Sequence, residues 1–459
     1  MAPAGLLNVP DGVLIALCAR LELEELAALS ASCTALRALL GSPCEHWHRA
    51  FVRRHGWLFP ELAWRAGSSA PSRAAVLHMH ARLRKGATVI LVGGTSSWDE
   101  AFKYPLVDVT PAGVRHTASA PAGSALLTPY AQALAATTDC AGTVYALGGW
   151  VLRDHALNSL PSASLRSCQT LEATAAPAGW RSLGAQMAEK RAFPGAACVD
   201  GFNIFAVGGG TSPWWGARCH ASTELYVPDA AVWRPGPPML AARCGLAVVH
   251  DAPRGVLYAL GGYGGGREYN SSVEMLPLGS AGGRGWLASP PMSAPRSGLS
   301  ASLGPDGRIF AVGGTGDGTA MSASTECFDP RDGRWRPCAP LPASRGFHAA
   351  SFGIDGRLFV FGGDRSGAID ASDDPADGWR DGAIPAGALV LTRAIGSPSR
   401  AIFAYDPRKD AWHTDADGLA FDRCNLCAAL LPAHGGLYPW AERPAGGARD
   451  AGRDGDSLG

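Results

Sequence analysis

The chain has 459 residues, of which 59 are glycine, 34 proline and 14 tryptophan. Glycine and proline together make about a fifth of the sequence, which is too rich in turn formers for a mainly helical protein, and they follow no collagen-like period. Lysine plus arginine number 40, as do aspartate plus glutamate, so the net charge is zero. This balance excludes a global basic field that would hold nucleic acid or an anionic membrane.

The N-terminal region does not read as a membrane span or a secretory signal. Its longest apolar run, residues 13–19, is far shorter than the roughly 20 residues that a spanning helix needs. Asp11 precedes this run and there is no basic segment before it. We therefore expect the 12 scattered cysteines to be reduced thiols, in a protein of the cytoplasm, the nucleus or both.

Residues 1–60 have the apolar spacing of short amphipathic helices. Asp11 is a suitable N-cap, because its carboxylate can accept from backbone N–H groups at a helix start. Apolar residues then recur at helical spacing over 13–21 and again over 23–40, which implies three short helices, and Pro43 opens a fourth that carries Trp47 and Phe51. A module this small would bury its surplus apolar face on another protein.

The order of the motifs in this region resembles an F-box. The resemblance rests on VPD at 9–11, LIAL at 14–17, EEL at 24–26, LS at 29–30 and SCTAL at 32–36, followed by Pro43, Trp47, Arg49 and Phe51. Leu36 departs from the tryptophan that is common in the family, and Gly12 lies in the first helical turn, where glycine costs roughly 1 kcal/mol. An ordinary small helical cap is the alternative interpretation.

The F-box resemblance implies docking on the S-phase-kinase-associated adaptor, and through it on a cullin and a RING subunit. The residues implied in that docking are Pro10, Leu14, Leu17, Leu21, Leu26, Leu29, Cys33 and Trp47.

The second part of the chain repeats one apolar phrase that ends in two glycines. Its six copies are ATVILVGG at 87–94, TVYALGG at 143–149, NIFAVGG at 203–209, VLYALGG at 256–262, RIFAVGG at 308–314 and RLFVFGG at 357–363. Successive first glycines are 49 to 60 residues apart, and periods near 50 are typical of kelch-type propellers. Trp180, Trp233, Trp286 and Trp335 each precede the next glycine pair by 27 or 28 residues, and we expect each indole to pack over that pair.

These repeats resemble the kelch motif, which implies four-stranded blades around a central channel. Six glycine pairs predict a β-propeller with six blades over residues 87–440, in which residues 425–431 complete the N-terminal blade. The insertion at 364–400 would raise the count to seven if it formed a degenerate blade. We expect a linker at 61–86 and a disordered tail at 441–459.

One charged residue recurs with the repeats. Arginines follow the repeat tryptophans, including Trp412, by 10 or 11 residues: Arg191, Arg243, Arg296, Arg345 and Arg423. Equivalent positions lie on one circle of a propeller, and in kelch receptors the loops of this face bind partner peptides. Two interpretations are open: each arginine holds a loop carbonyl, or together they form a cationic ring for an acidic or phosphorylated peptide.

Aromatic and basic residues also follow the glycine pairs, in loops that we expect to share this face. They are Trp98, Trp150, Trp214, Trp215, Tyr263, Arg267 and Tyr269. Such residues are common anchors of protein interfaces. The alternative for each is that it covers the end of a blade.

No motif predicts a catalytic centre, a metal site or a cofactor. Residues 424–427 form a lone CxxC with no second half at usable spacing, and no phosphate-binding loop is present. The F-box and kelch resemblances together imply a non-catalytic substrate receptor of an SCF-type ubiquitin ligase, in which the propeller captures the target protein. The alternatives are a propeller-mouth enzyme of galactose-oxidase or sialate-mutarotase type, and a kelch scaffold that acts without a ligase.

Overall fold

The computed structural model describes the strand-rich part of the chain. The described residues are 87–95, 106–110, 113–117, 131–139, 142–151, 163–172, 180–211, 218–265, 268–278, 285–353, 356–364, 401–415 and 424–432. The predicted helical domain at 1–60, the linker at 61–86, the tail at 441–459 and most of the 364–400 insertion lie outside them. No helix among the described residues is long and apolar enough to cross a membrane.

Five four-stranded antiparallel sheets follow one another along the chain. The first contains Ala135–Thr138 (β5), Thr143–Leu147 (β6), Cys168–Glu172 (β9) and Arg181–Ser182 (β10). The second contains Gly195–Val199 (β11), Asn203–Val207 (β12), Thr223–Val227 (β13) and Val232–Gly236 (β14), with a 3-10 turn at Pro228–Ala230. The third contains Ala247–Asp251 (β15), Val256–Leu260 (β16), Val273–Pro277 (β17) and Leu287–Ser289 (β18). The fourth contains Ser300–Leu303 (β19), Ile309–Val312 (β20), Thr325–Asp329 (β21) and Arg334–Cys338 (β22), and the fifth contains Ala349–Phe352 (β23), Leu358–Phe361 (β24), Ile402–Asp406 (β25) and Ala411–Asp415 (β26).

A sixth four-stranded sheet is composite. It combines Ala87–Thr95 (β1), Leu106–Thr110 (β2) and Gly113–Thr117 (β3) with the C-terminal strand Cys424–Pro432 (β27), which pairs antiparallel with β1. The prediction that residues 425–431 complete the N-terminal sheet is confirmed. Six blades were predicted. The chain forms five blades of contiguous sequence, and its sixth four-stranded sheet is this composite one.

The sheets form an all-β propeller around a central channel. Strands β5, β11, β15, β19, β23 and β27 each lie at one edge of their sheet, and each contacts the next around a closed cycle. The repeated apolar phrase forms the second strand from the channel, and β6 is buried along its whole length. The core lies between neighbouring sheets: Leu257 and Leu276, for example, pack with Phe205 and Val207 of the preceding blade.

The glycine pairs end the second strands where two blades meet. Gly261 has φ +63, and a Cβ built there would lie 2.3 Å from the carbonyl oxygen of Arg296 in the next blade. The amide of Gly262 donates to this same carbonyl at 2.7 Å. The pairs that begin at Gly148, Gly208 and Gly313 repeat this geometry, so these glycines allow a close approach of two backbones.

The tryptophans do not cover the glycine pairs, contrary to the prediction. Trp233, Trp335 and Trp412 lie on fourth strands and face Tyr226, Phe328 and Tyr405 of the adjacent third strands. The indole N–H of Trp335 donates to Pro290 O at 2.9 Å, and that of Trp286 donates to Pro237 O at 2.9 Å. These carbonyls follow the last strand of the preceding blade, so the indoles tie neighbouring blades together at the outer strands.

Short strand pairings continue the five contiguous blades beyond their glycine pairs. In the first contiguous blade they form a three-stranded sheet of Ala131–Gln132 (β4), Trp150–Val151 (β7) and Ala163–Ser164 (β8). In later blades they are single bridges, such as Ala192 with Gly210 and Gly210 with Cys219. They mark one end of the propeller, which we call the mouth face.

Candidate functional site

Five residues with left-handed backbone geometry form an arc at the mouth face, which we call the girdle. They are Ala133, Phe193, Gly245, Gly298 and Phe347, with φ between +50 and +63. The amide of each later residue donates to the carbonyl of the one before: Phe193 to Ala133 at 2.7 Å, Gly245 to Phe193 at 3.0 Å, Gly298 to Gly245 at 2.9 Å and Phe347 to Gly298 at 2.7 Å. The girdle thus joins five blades edge to edge at the end of the channel.

Two aromatic rings of the girdle meet at this end of the channel. The centroids of Phe193 and Phe347 are 5.5 Å apart, and both side chains are partly exposed. The two girdle positions between them are glycines, and a Cβ at Gly298 would lie 2.7 Å from the Phe347 ring. The glycines therefore leave the space in which the two rings come together.

Other aromatic residues surround Phe193. Phe193 packs against one cluster that contains Tyr263 and against another that contains buried Trp150, and the ring centroids of Tyr263 and Tyr269 are 5.3 Å apart. Trp150 and Tyr263 are 7% and 8% exposed, so they lie beneath this surface and offer little area to a partner. Tyr269 is partly exposed. The predicted contact residues Trp98, Trp214, Trp215 and Arg267 lie outside the described residues.

The channel behind the girdle is narrow and apolar. Its volume is about 170 Å³, and the described strands line it mainly with alanine, glycine, leucine and valine. Ser300 is one of the few polar residues there, and its hydroxyl donates to His348 O at 2.6 Å. Among the described residues, no three or more His, Cys, Asp or Glu side chains are grouped as a metal site would require.

The predicted cationic ring is wrong for four of its five arginines. Arg191, Arg243, Arg296 and Arg345 are at most 2% exposed, and Arg423 lies outside the described residues. Each buried guanidinium donates to the carbonyl of the first glycine of a pair; Arg243 Nη1, for example, lies 2.8 Å from Gly261 O. The interpretation that each arginine holds a carbonyl is therefore confirmed for these four residues. Their side chains are not available to an acidic peptide.

Buried glutamates explain why the arginines turn inward. Arg191, Arg243 and Arg296 bond to Glu224, Glu274 and Glu326 at 2.9, 2.6 and 3.0 Å. Each glutamate also accepts from a loop amide, as Glu274 does from Leu240 N at 2.7 Å. In the fifth blade Phe403 occupies the position of the glutamate, and the Arg345 guanidinium carbon lies 4.2 Å from its ring centroid. The sequence signal for these partners is a glutamate 30 to 33 residues after the arginine. The pairing of arginine and glutamate was not predicted from the sequence.

His348 occupies a site that leucine fills in neighbouring blades. It follows the girdle residue Phe347, as Leu246 and Leu299 follow Gly245 and Gly298, and those leucines belong to cores between blades. The His348 side chain is buried, and neither ring nitrogen has a hydrogen-bond partner in the part of the chain that the structure describes. Burial, with a smaller contribution from nearby Arg345, lowers the pKa of His348 from 6.5 to about 3.

Replacing His348 by leucine is expected to stabilise the propeller and to reduce its sensitivity to acid. Leucine removes two buried polar atoms without partners, for a gain of about 2 kcal/mol at neutral pH. Because the folded state keeps the imidazole neutral, the wild type has its full stability above pH 6.5. It loses up to roughly 1.4 kcal/mol per pH unit as the pH falls from there toward 3.

Urea unfolding at pH 7.5 and pH 5.0 measures this difference. Between the two values the wild type should lose about 2 kcal/mol more than His348→Leu does. His348→Gln is the control, because it keeps polar atoms at the site and does not titrate. Equal losses for the wild type and both variants would contradict the assignment of acid sensitivity to His348.

Comparisons with known proteins agree with the repeat architecture. The Kelch motif matches residues 298–342, which run from a girdle glycine to the end of the fourth blade. The chain is 33% identical over 86 residues to Kelch-like ECH-associated protein 1B of Danio rerio, and this match covers 18% of the chain and 14% of that protein. A solved structure entitled "Structure of YjhT" superposes with a TM-score of 0.51 at 13% identity, covering 62% of this chain and 91% of that one.

The described sheets form a β-propeller, and residues 298–342 of it match the Kelch motif. The matched motif and the relative support the kelch assignment, while the solved structure supports the fold alone. The chain spans only 14% of the length of the relative. The predicted adaptor-binding residues, from Pro10 to Trp47, lie outside the described residues.

Proposed function

We propose that this protein is a substrate receptor of an SCF-type ubiquitin ligase, and that it captures its target on the mouth face. The propeller binds a target protein around Phe193 and Phe347, while the F-box-like region at 1–60 docks on the S-phase-kinase-associated adaptor. A cullin and a RING subunit join through that adaptor, in the cytoplasm or the nucleus. The chain itself transfers no group; it raises the effective concentration of the target near the ubiquitin-charged enzyme.

The observation that carries the target-binding half is the strained aromatic pair. Phe193 and Phe347 have φ of +50 and +52, a conformation that is costly for a bulky side chain. Glycine occupies two other girdle positions and meets the same geometry without that cost. Strain of about 1–3 kcal/mol at a residue persists where the side chain serves a function, and partly exposed aromatic side chains are frequent hot spots of protein interfaces.

Two further observations support a receptor over an enzyme at the mouth. The described channel wall consists mainly of small apolar residues, whereas general acid–base catalysis needs a pair of positioned titratable groups. The similar stretch of Kelch-like ECH-associated protein 1B belongs to a protein whose name records an association with another protein. The adaptor-binding half is supported by the motif order at 9–51.

Replacing both girdle phenylalanines by glycine is expected to abolish target capture at a limited cost in stability. The variant loses the aromatic contact, about 0.5–1.5 kcal/mol, and the packing of Phe193 on two core clusters, while release of backbone strain, about 1–3 kcal/mol at each position, opposes that loss. Quantitative proximity labelling by the full-length chain should show a set of proteins depleted at least tenfold in Phe193→Gly/Phe347→Gly.

Val232→Asp is the matched control for this experiment. Val232 is 40% exposed and begins β14, at the end of its blade opposite the mouth face. This variant should label the same proteins as the wild type. If the double glycine variant had a melting temperature within a few degrees of the wild type and an unchanged labelling profile, the target would not bind at the mouth face.

The adaptor half is tested separately with purified components. The wild type is expected to co-elute with the S-phase-kinase-associated adaptor, and Leu29→Asp to lose that binding because a carboxylate would enter an apolar interface. Leu29→Met keeps the volume and the apolar character of the side chain and should retain binding. Retained binding by Leu29→Asp would exclude the F-box-like surface while leaving the mouth face untouched.

A further inference from the structure

Two cysteines from neighbouring blades meet beside the aromatic pair. The sulfur atoms of Cys219 and Cys244 are 3.3 Å apart. Cys219 bridges to Gly210 in the second contiguous blade, and Cys244 bridges to Tyr263 in the third. Both lie in one cluster with Tyr263, against which Phe193 and Tyr269 also pack. The contact therefore crosses a boundary between blades directly beneath the mouth face.

We propose that Cys219 and Cys244 are an oxidation site, at which a small peroxide converts the two thiols into a disulfide that links the two blades. The inference is independent of the proposed function, because it concerns only this pair. Bringing the sulfur atoms from 3.3 Å to the roughly 2.05 Å of a disulfide requires them to approach by about 1.2 Å.

The reaction balances with hydrogen peroxide as the oxidant. The Cys219 thiolate attacks one peroxide oxygen, so that an S–O bond forms, the O–O bond breaks and hydroxide leaves to take up a proton. The Cys244 sulfur then attacks the sulfenic sulfur of Cys219, so that the S–S bond forms and the S–O bond breaks. Water departs with the Cys244 proton. In total, two thiols and one peroxide give a disulfide and two waters, and the sulfurs lose two electrons.

The surroundings favour Cys219 as the attacking thiol. The hydrogen bond between the two thiols lowers the pKa of Cys219, and the same bond together with burial raises the pKa of Cys244. Burial acts in the opposite direction on the pKa of Cys219, whose thiol also donates to the carbonyl of Tyr263 at 3.2 Å. Cys219 and Cys244 are 8% and 7% exposed, so we expect only a small oxidant to reach the pair.

Peptide mass spectrometry of the folded full-length chain tests the site. The protein is titrated with hydrogen peroxide, quenched by alkylation and digested without reductant. The expected product is a linked peptide pair containing Cys219 and Cys244, lighter by two hydrogen atoms than the reduced peptides and lost on treatment with dithiothreitol. Cys219→Ala and Cys244→Ala should each abolish it, and Cys168→Ala should retain it. Cys168 is the control because it is buried in a different core cluster.

Three outcomes would overturn the proposal. The first is oxidation of Cys219 to a sulfinic acid with Cys244 still alkylated, because a paired thiol would have intercepted the sulfenic acid. The second is formation of the link only after the protein is unfolded with urea. The third is linkage of Cys219 to several cysteines in similar amounts. Differential isotope alkylation of the wild type gives the same information should either alanine variant fail to fold.

Discussion

Replacing Glu274 by alanine is expected to lower the free energy of unfolding by about 3–5 kcal/mol. The Arg243 side chain is fully buried and its Nη2 donates to Glu274 Oε1 at 2.6 Å. Burial lowers the pKa of Arg243, and the Glu274 carboxylate opposes that shift. Without the carboxylate a guanidinium remains buried and uncompensated, and the amides of Leu240 and Ala241 lose their acceptor.

The double variant Arg243→Met/Glu274→Leu separates a lost charge partner from a damaged core. Removing both charges leaves no buried ion without compensation, so most of the lost stability should return. The repeat itself contains a blade without these charges: Ala131 and Gln169 stand at the equivalent positions of the first contiguous blade. The double variant should therefore be clearly more stable than Glu274→Ala alone.

Equilibrium urea unfolding of the single and double variants makes this measurement. Glu268→Ala is the control, since Glu268 is an exposed carboxylate of the same blade and its removal should change stability by less than about 0.5 kcal/mol. If Glu274→Ala lost no more than Glu268→Ala, the buried ion pair would not be a structural element of the propeller.

The sequence predicted the repeat well because the strongest constraints on it are local. Two successive glycines are needed where the first has φ near +60 and faces a carbonyl of the next blade, as at Gly208 and Gly313. The strand before the glycines is buried on both faces, so its sequence is an almost uninterrupted run of apolar residues. Both signals recur at the spacing of a blade.

The innermost strands were not predicted because the channel they line is narrow. Strand β11 has the sequence GAACV and β19 the sequence SASL, and such small residues give little hydrophobic periodicity. The C-terminal strand was recognised as the closing element because it contains a longer apolar stretch, with no later repeat to which it could belong.

The position of the arginines was predictable, but the direction of their side chains was not. The spacing from the tryptophans places them on one circle, which is equally compatible with an exposed ring and with a buried one. The direction depends on Glu224, Glu274 and Glu326, which lie two strands later in the same blade. Phe193 and Phe347 gave no signal, because a left-handed conformation is not expected of phenylalanine.

Replacing Gly261 by alanine is expected to cost more than about 4 kcal/mol and to reduce the yield of folded protein. The new methyl group would lie 2.3 Å from Arg296 O, 3.1 Å from Met292 Cε and 3.2 Å from Leu299 Cδ2. The side chains can give way, but the carbonyl cannot move without breaking its 2.7 Å hydrogen bond from Gly262 N, which joins two blades. The left-handed φ of +63 adds strain of about 1–2 kcal/mol.

Two other glycines separate the clash from the strain. Gly184 has φ +79 but no atom within 4 Å of a built Cβ, so Gly184→Ala should show the strain alone, about 1–2 kcal/mol. Gly285 has neither a close neighbour nor a left-handed φ, and Gly285→Ala should be neutral or stabilising by up to about 1 kcal/mol. Melting temperatures and soluble yields of the three variants give the ranking. Equal losses for Gly261→Ala and Gly184→Ala would mean that the blades can separate at the Arg296 carbonyl without cost, and the glycine pair would then be a requirement of backbone conformation alone.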